Sequence, residues 1–201
     1  MSVTHGKVGY CVTGLDEGKV NCSVSLSAAV RLNVCVFCAE KLELTNIFID
    51  PSVWFNCSLD KTSQTQNANQ LTDTIKENLI GISISATSDA YIDNIRINTC
   101  NVGLKTDIPT ITEKTPLFSD ITVNDAKRSA LILVNAPQTG IAFAKCSFRT
   151  DDSYGSKDVE IASGYTAPTV FNSCSFRGSP SYSVYSEGSS MLSFVGCDFI
   201  S

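Results

Sequence analysis

The sequence predicts an all-β chain, a right-handed parallel β-helix of about eight coils with three short strands per coil. Three observations predict it: an apolar pattern eight residues long that recurs six times, a near-constant spacing between the copies, and a composition apolar enough to build a continuous core.

The pattern is apolar-x-apolar-x-x-apolar-x-apolar. It is carried by Leu42-Glu-Leu-Thr-Asn-Ile-Phe-Ile49, Ala90-Tyr-Ile-Asp-Asn-Ile-Arg-Ile97, Pro116-Leu-Phe-Ser-Asp-Ile-Thr-Val123, Ile141-Ala-Phe-Ala-Lys-Cys-Ser-Phe148, Thr169-Val-Phe-Asn-Ser-Cys-Ser-Phe176 and Leu192-Ser-Phe-Val-Gly-Cys-Asp-Phe199. Alternation on both sides of a two-residue break describes two short strands joined by a bend that keeps the same face inward. The first apolar residues after the break, Ile47, Ile95, Ile121, Cys146, Cys174 and Cys197, are spaced 48, 26, 25, 28 and 23 residues apart. The first gap reads as two coils, with a degenerate one near Leu71, and Cys22 with Val24 extends the series upstream.

A further apolar strand follows most copies, as at Val102 to Leu104, Leu131 to Val134 and Val159 to Ile161, which gives the third strand of each coil. One such coil cannot bury its apolar face alone, so coils must stack, each strand pairing in parallel with its equivalent in the next. Strands about 4.8 Å apart would make a rod roughly 35 to 40 Å long with Ile, Cys and Phe in internal columns. The break positions Asn46, Asn94, Asp120, Lys145, Ser173 and Gly196 are rich in residues that tolerate a left-handed backbone or hydrogen-bond locally.

Around this repeat, residues 1–18 read as an N-terminal cap or partial first coil, 19–201 as the β-helix, and the polar stretch 61–78 as an insertion. Arg149 to Lys157 is a charged expansion of the longest coil. The last copy closes at the chain end without a capping segment, which implies cover by another chain or a longer parent helix, because open coils expose unpaired strand edges.

The 201 residues suit one domain; 43% are hydrophobic and 17% charged, which excludes disorder by composition. A net charge of −5 leaves no broad basic surface, arguing against nucleic acid and anionic membrane as partners and for a neutral or cationic partner or a sugar. No signal peptide and no apolar run near the length of a bilayer span is present. The nine cysteines are odd in number and mostly single within apolar runs, so they read as reduced, buried small hydrophobes. Cys35 and Cys38 form a CxxC without a second pair or a nearby histidine, which favours core packing over zinc or redox chemistry. Asn21-Cys-Ser23 and Asn56-Cys-Ser58 match the glycosylation sequon by accident.

Phe171-Asn-Ser-Cys-Ser-Phe-Arg-Gly178 and Phe143-Ala-Lys-Cys-Ser-Phe148 resemble the pectin-lyase-like right-handed parallel β-helix superfamily, of the kind found in bacteriophage tailspikes and in polysaccharide lyases and hydrolases. The resemblance spans Val20 to Phe199 and implies an architecture shared by many functions. Glycoside hydrolysis needs two carboxyls across the sugar bond, and the candidate catalytic set is Asp151, Asp152 and Asp158, a stretch similar to the aspartate-rich segment of polygalacturonases. The Gly-His-Gly and Arg-Ile-Lys segments of those enzymes are absent, and the single histidine, His5, is far upstream. The alternative for Asp151 and Asp152 is a solvated loop that caps backbone groups. Candidate ligand-binding residues are Tyr91, Asp93, Arg96, Asp120, Arg149 and Arg177, although a bend-stabilising role is favoured for Asp93 and Asp120. No metal site and no cofactor is implied.

The outward positions Tyr91, Arg96, Leu117, Thr122, Ala142, Ser147, Val170 and Ser175 form an unusually apolar flank, which a neighbouring subunit would cover. A homo-oligomer, a trimer by analogy with viral β-helix fibres, follows. The leading expectation is therefore a virion-associated structural or receptor-binding protein of the phage tailspike, tail-fibre or capsid-decoration type. It would be made in the host cytoplasm, assemble with other virion proteins and contact surface polysaccharide. A polysaccharide lyase or glycoside hydrolase, or a scaffold module of a larger cell-surface protein, is the competing expectation.

Overall fold

The computed structural model describes residues 10–13, 18–21, 33–37, 41–49, 80–85, 89–108 and 115–200, with side chains described at 80–84, 91–108 and 115–200. Among these residues there is no helix. The strands are β1 (Tyr10–Thr13), β2 (Gly18–Asn21), β3 (Asn33–Phe37), β4 (Lys41–Ile49), β5 (Ile80–Ser85), β6 (Asp89–Asp107), β7 (Leu117–Asn135) and β8 (Ile141–Ala144). They continue as β9 (Ser147–Thr150), β10 (Lys157–Ile161), β11 (Thr169–Asn172), β12 (Ser175–Arg177), β13 (Tyr182–Ser186), β14 (Leu192–Val195) and β15 (Asp198–Ile200).

Among the described residues every pairing is parallel, and the pairs run along three faces of a solenoid. On the first face β7, β8, β11 and β14 stack, with Phe118, Phe143, Phe171 and Phe194 in register. On the second, β7, β9, β12 and β15 align Val123, Phe148, Phe176 and Phe199. The third aligns Ile82, Leu104, Leu131, Val159 and Val184 across β5, β6, β7, β10 and β13. A 19-residue strand such as β6 or β7 serves all three faces because single left-handed residues turn it without breaking the ladder. Asn94, Asp120, Lys145, Ser173 and Gly196 have φ of 51°, 48°, 56°, 53° and 60°, the conformation expected of them from residue type. Thr99 and Asp125 make the second corner at φ 49° and 61°, and Thr99 Oγ1 donates to Asp125 Oδ2 across the turn at 3.1 Å.

Ile95, Ile121, Cys146 and Cys174 form the predicted internal file, each no more than 2% exposed. Beside it two aromatic columns run through the core. Phe118, Phe143, Phe171 and Phe194 stack at successive centroid separations of 5.0, 5.1 and 5.2 Å, and Phe148, Phe176 and Phe199 at 6.0 and 4.9 Å. Edge contacts such as Phe171 to Phe176, at 5.4 Å and 80°, tie the columns together. Parallel in-register strands bring like residues over like, so one Phe per coil becomes a column with offset-stacked and edge geometry.

The third face has a position where the core tolerates no side chain. A Cβ on Gly103 would stand 2.2 Å from Val123 Cγ1 and 2.6 Å from the Ala130 carbonyl oxygen. Gly103→Ala is expected to lower stability by about 1–3 kcal/mol through overpacking; a chemical denaturation midpoint equal to that of the parent chain would contradict this close approach.

The all-β parallel solenoid is as predicted, but the coil count is not. About four turns are seen from β5 onward, where eight were expected over the chain, with β1 to β4 pairing in parallel ahead of them. No further turn is inserted between β4 and β6, which pair directly and place Leu42 against Ala90 and Ile47 against Ile95. A hydrogen-bonded pair of strands leaves no room for a third between them. Leu71 itself, Cys38, His5, the Asn56 sequon, the polar stretch 61–78 and, after Asn21 at the end of β2, the rest of the Asn21 sequon lie outside the described residues.

Candidate functional site

The stacked register turns the outward positions of the first face into a row. Tyr91, Leu117, Ala142, Val170 and Ser193 follow one another on adjacent strands. Tyr91, Leu117 and Val170 are 42%, 37% and 40% exposed, so three large apolar groups face solvent along one line. The neighbouring row, Asp93, Ser119, Ala144 and Asn172, is polar at its start, where the Ser119 hydroxyl donates to Asp93 Oδ1. Asp120 is exposed at its left-handed corner and is the register equivalent of Asn94, so Asp93 meets Ser119 rather than Asp120.

The second face carries hydrogen-bonding rows. Arg96, Thr122, Ser147, Ser175 and Asp198 share one register, and Ser175 Oγ donates to Ser147 Oγ at 3.0 Å. Arg149 stands directly over Arg177, both exposed. The structure thus places Arg149 with Arg177 on the second face, and Tyr91 and Asp93 on the first; Arg96 lies beyond the Asn94 corner from them.

The carboxyls of the charged expansion do not share one environment. Asp151 Oδ1 accepts from the Ser153 amide at 3.1 Å, an Asx turn, and Asp152 is exposed at φ 62°. Asp158 is 0% exposed. It occupies the β10 position equivalent to Gly103 in β6 and Ala130 in β7. Its Oδ1 accepts from Thr150 Oγ1 at 3.1 Å, which in turn accepts from Ser156 Oγ at 3.3 Å, while Oδ2 is buried without a hydrogen-bond partner. Burial pushes the Asp158 carboxyl up to about 7, against the hydrogen bonds from Thr150 that favour ionisation. Ser179 fastens the adjoining chain, donating to the Ser156 carbonyl at 2.6 Å and accepting from the Tyr182 amide at 2.8 Å.

The loop above this carboxyl lines an open groove of about 280 Å³ formed by Ser153, Tyr154, Gly155 and Ser156 with Asn101, Lys127 and Arg128. Next to it lies a cluster that residue patterns did not single out. Glu160 Oε1 meets Arg128 Nη2 at 2.9 Å and Lys157 Nζ at 3.4 Å, and Oε2 accepts from Ser129 Oγ at 2.6 Å. Burial works to raise the Glu160 carboxyl, but these donors and cations outweigh it and hold it below its ordinary value. The Lys157 ammonium lies 4.2 Å from the Tyr185 ring centroid, and the Tyr182 ring is 5.2 Å from that of Tyr185. The signal available in sequence is the one-coil spacing of Ser129, Lys157 and Tyr182 on the third face.

Among the described residues no three metal-ligating side chains converge, and no helix is long and apolar enough to cross a membrane. Cys146, Cys174 and Cys197 are thiols outside any disulfide. No known protein family, curated protein or solved structure matches the chain.

Proposed function

We propose that this chain is a non-catalytic assembly and receptor-binding solenoid of a virus particle, of the tailspike, tail-fibre or capsid-decoration kind, working as a homotrimer. In this reading it is a right-handed β-helix of the pectin-lyase-like type, the hand that parallel crossovers take in about 98% of cases. The observation that carries it is the line Tyr91, Leu117, Ala142 and Val170 on a flat, regular face. An apolar strip of fixed spacing on a rigid rod is suited to burial against another subunit. Free thiols in the core suit synthesis in a reducing cytoplasm. The hydroxyl and guanidinium rows of the second face and the Tyr182 and Tyr185 pair supply the polar and aromatic surfaces a glycan would use.

Sedimentation of the purified chain is expected to give a trimer, and Leu117→Asp combined with Val170→Asp is expected to shift it to monomer, with affinity between subunits reduced at least about 100-fold. A monomeric parent chain, or a double variant that still sedimented as a trimer, would remove the basis for the proposal. Incubation with bacterial surface polysaccharides then separates binding from cleavage.

One observation favours the competing polysaccharide lyase or hydrolase reading: Asp158, at about 7, has the proton affinity of a general acid beside a groove. It is fully buried, so that chemistry requires the 151–156 loop to move aside. Release of reducing ends or unsaturated sugars, lost in Asp151→Ala with Asp152→Ala, would decide for it.

A further inference from the structure

The loop that walls the open groove is held by polar contacts rather than by apolar burial. Tyr154 is 98% exposed, Asp152 and Gly155 are exposed, and Ser156 alone of residues 151–156 is buried. The Asp151 amide donates to the Ala126 carbonyl at 3.0 Å, the Gly155 amide to Ser181 Oγ at 3.0 Å and the Ser156 amide to the Ser153 carbonyl at 3.0 Å. Asp152 and Gly155 have left-handed backbone, at φ 62° and 83°, and a Cβ at Gly155 would meet nothing within 4 Å. Ser156 joins the loop to Asp158 through Thr150, while Asp158 Oδ2 is buried without a hydrogen-bond partner.

We propose that Asp158 is the latch of a pH-operated lid: when its carboxyl gives up its proton, the 151–156 loop swings away, turning at Asp152 and Gly155, and the groove deepens to take in the hydroxyls of Thr150 and Ser156. A protonated carboxyl is tolerated under the closed loop. A buried carboxylate with one unpaired oxygen is costly, and moving the loop lets water reach it. The groups that face Asp158 offer a charge little. Thr150 from β9 and Ser183 from β13 supply hydroxyls, and the Asp152 carboxylate of the loop adds a like charge. Ala130 is its equivalent in β7, and Asp151 is engaged by the Ser153 amide. Lys127 and Arg128 from β7 line the groove, Arg149 and Arg177 are exposed on the second face, and Lys157 and Arg128 both meet Glu160. Among the described residues no cation forms an ion pair with Asp158.

Burial, with the like charge of Asp152 added, raises the Asp158 carboxyl from 3.8 to about 7 while the loop is closed. Once hydrated in the open form it returns to the ordinary carboxylate range. The closed form therefore holds the proton more tightly than the open form. Closure is fully favoured below about pH 4, each unit between about pH 4 and about pH 7 favours opening tenfold, and above that range the balance no longer changes. A segment with so little buried apolar surface is the part of the fold that can open by itself while the stacked strands stay paired. The lid requires neither the trimer nor catalysis, so it stands apart from both readings of the function.

Tyr154 provides the assay, because chymotrypsin cuts after tyrosine and cleavage within a folded chain tracks the population of the opened segment. Initial rates of scission between Tyr154 and Gly155 are followed by mass spectrometry in the full parent chain and in Asp158→Asn. The parent rate divided by the variant rate should rise about 10- to 30-fold between about pH 5.5 and about pH 8.5, with most of the rise below about pH 7.5. Taking the ratio removes the protease's own pH dependence. A free peptide of residues 150–158 does the same for the parent alone, so a variant that failed to fold would leave the test intact. Initial cuts after Phe143 and Phe171, which are 0% exposed, should stay absent over the same range. A ratio that is flat or falls with pH would overturn the proposal. So would cuts after Phe143 and Phe171 that keep pace with the one after Tyr154, the mark of global unfolding instead of a moving loop.

Discussion

Phe171→Ala should remove about 3–5 kcal/mol of stability, the largest loss expected of any single substitution in the described core. Phe171 is 0% exposed and stacks on Phe143 at 5.1 Å and on Phe194 at 5.2 Å. It also meets Phe148 and Phe176 edge-on at 6.4 and 5.4 Å. Truncation therefore breaks one aromatic column at its middle and removes two of the edge contacts that tie it to the other. A solenoid turn touches only its neighbours, so the damage should stay local. Hydrogen exchange is expected to quicken across β11 to β15 while the β6 to β7 pairing keeps its protection. A denaturation curve displaced by less than about 1 kcal/mol, or a uniform rise in exchange along the whole rod, would show that the columns do not carry the core.

Asp158→Asn is expected to stabilise the protein at pH 8 and to change it little at pH 4. The Asp158 carboxyl is raised from 3.8 to about 7 in the folded chain, so the folded state holds this proton more tightly than the unfolded state. Between those values the unfolded chain has released the proton and the folded chain has not, and the contribution of Asp158 to stability falls as pH rises from about 4 to about 7. Above that range the carboxylate is buried and charged, with Oδ2 unpaired. The full swing is on the order of 2–4 kcal/mol once screening through the adjoining loop is allowed for. Subtracting the stability of the variant from that of the parent chain at each pH isolates this group, because the other carboxyls cancel. A difference curve that is flat, or that rises between pH 4 and 7, would contradict the buried environment of Asp158.

The two predictions rest on features that the sequence reveals unequally. Phe143, Phe171, Phe176 and Phe199 fall at fixed places in the eight-residue pattern, and once strands pair in parallel and in register, like positions must superpose. Asn94, Asp120, Lys145, Ser173 and Gly196 could be assigned to the corner for the same reason, and their left-handed backbone follows from what such residues tolerate. Asp158 gave no comparable sign. The charged stretch offers it only as a third carboxyl near Asp151 and Asp152, and it is the stacking of β10 on β7 that shows it filling a place held by glycine and alanine in earlier turns.

By itself, then, the order of residues determined the all-β parallel solenoid, its internal files and its outward apolar row, because these depend on periodicity, which is local and repeated. Tertiary structure decided what depends on which non-repeating segments are skipped or brought together. It placed β4 directly on β6 across the 48-residue gap, sank Asp158 beneath the 151–156 loop, and gathered Arg128, Lys157, Glu160 and Tyr185 on the third face. Each of those outcomes is set by contacts between residues far apart in the chain, whose partners a periodic pattern does not specify.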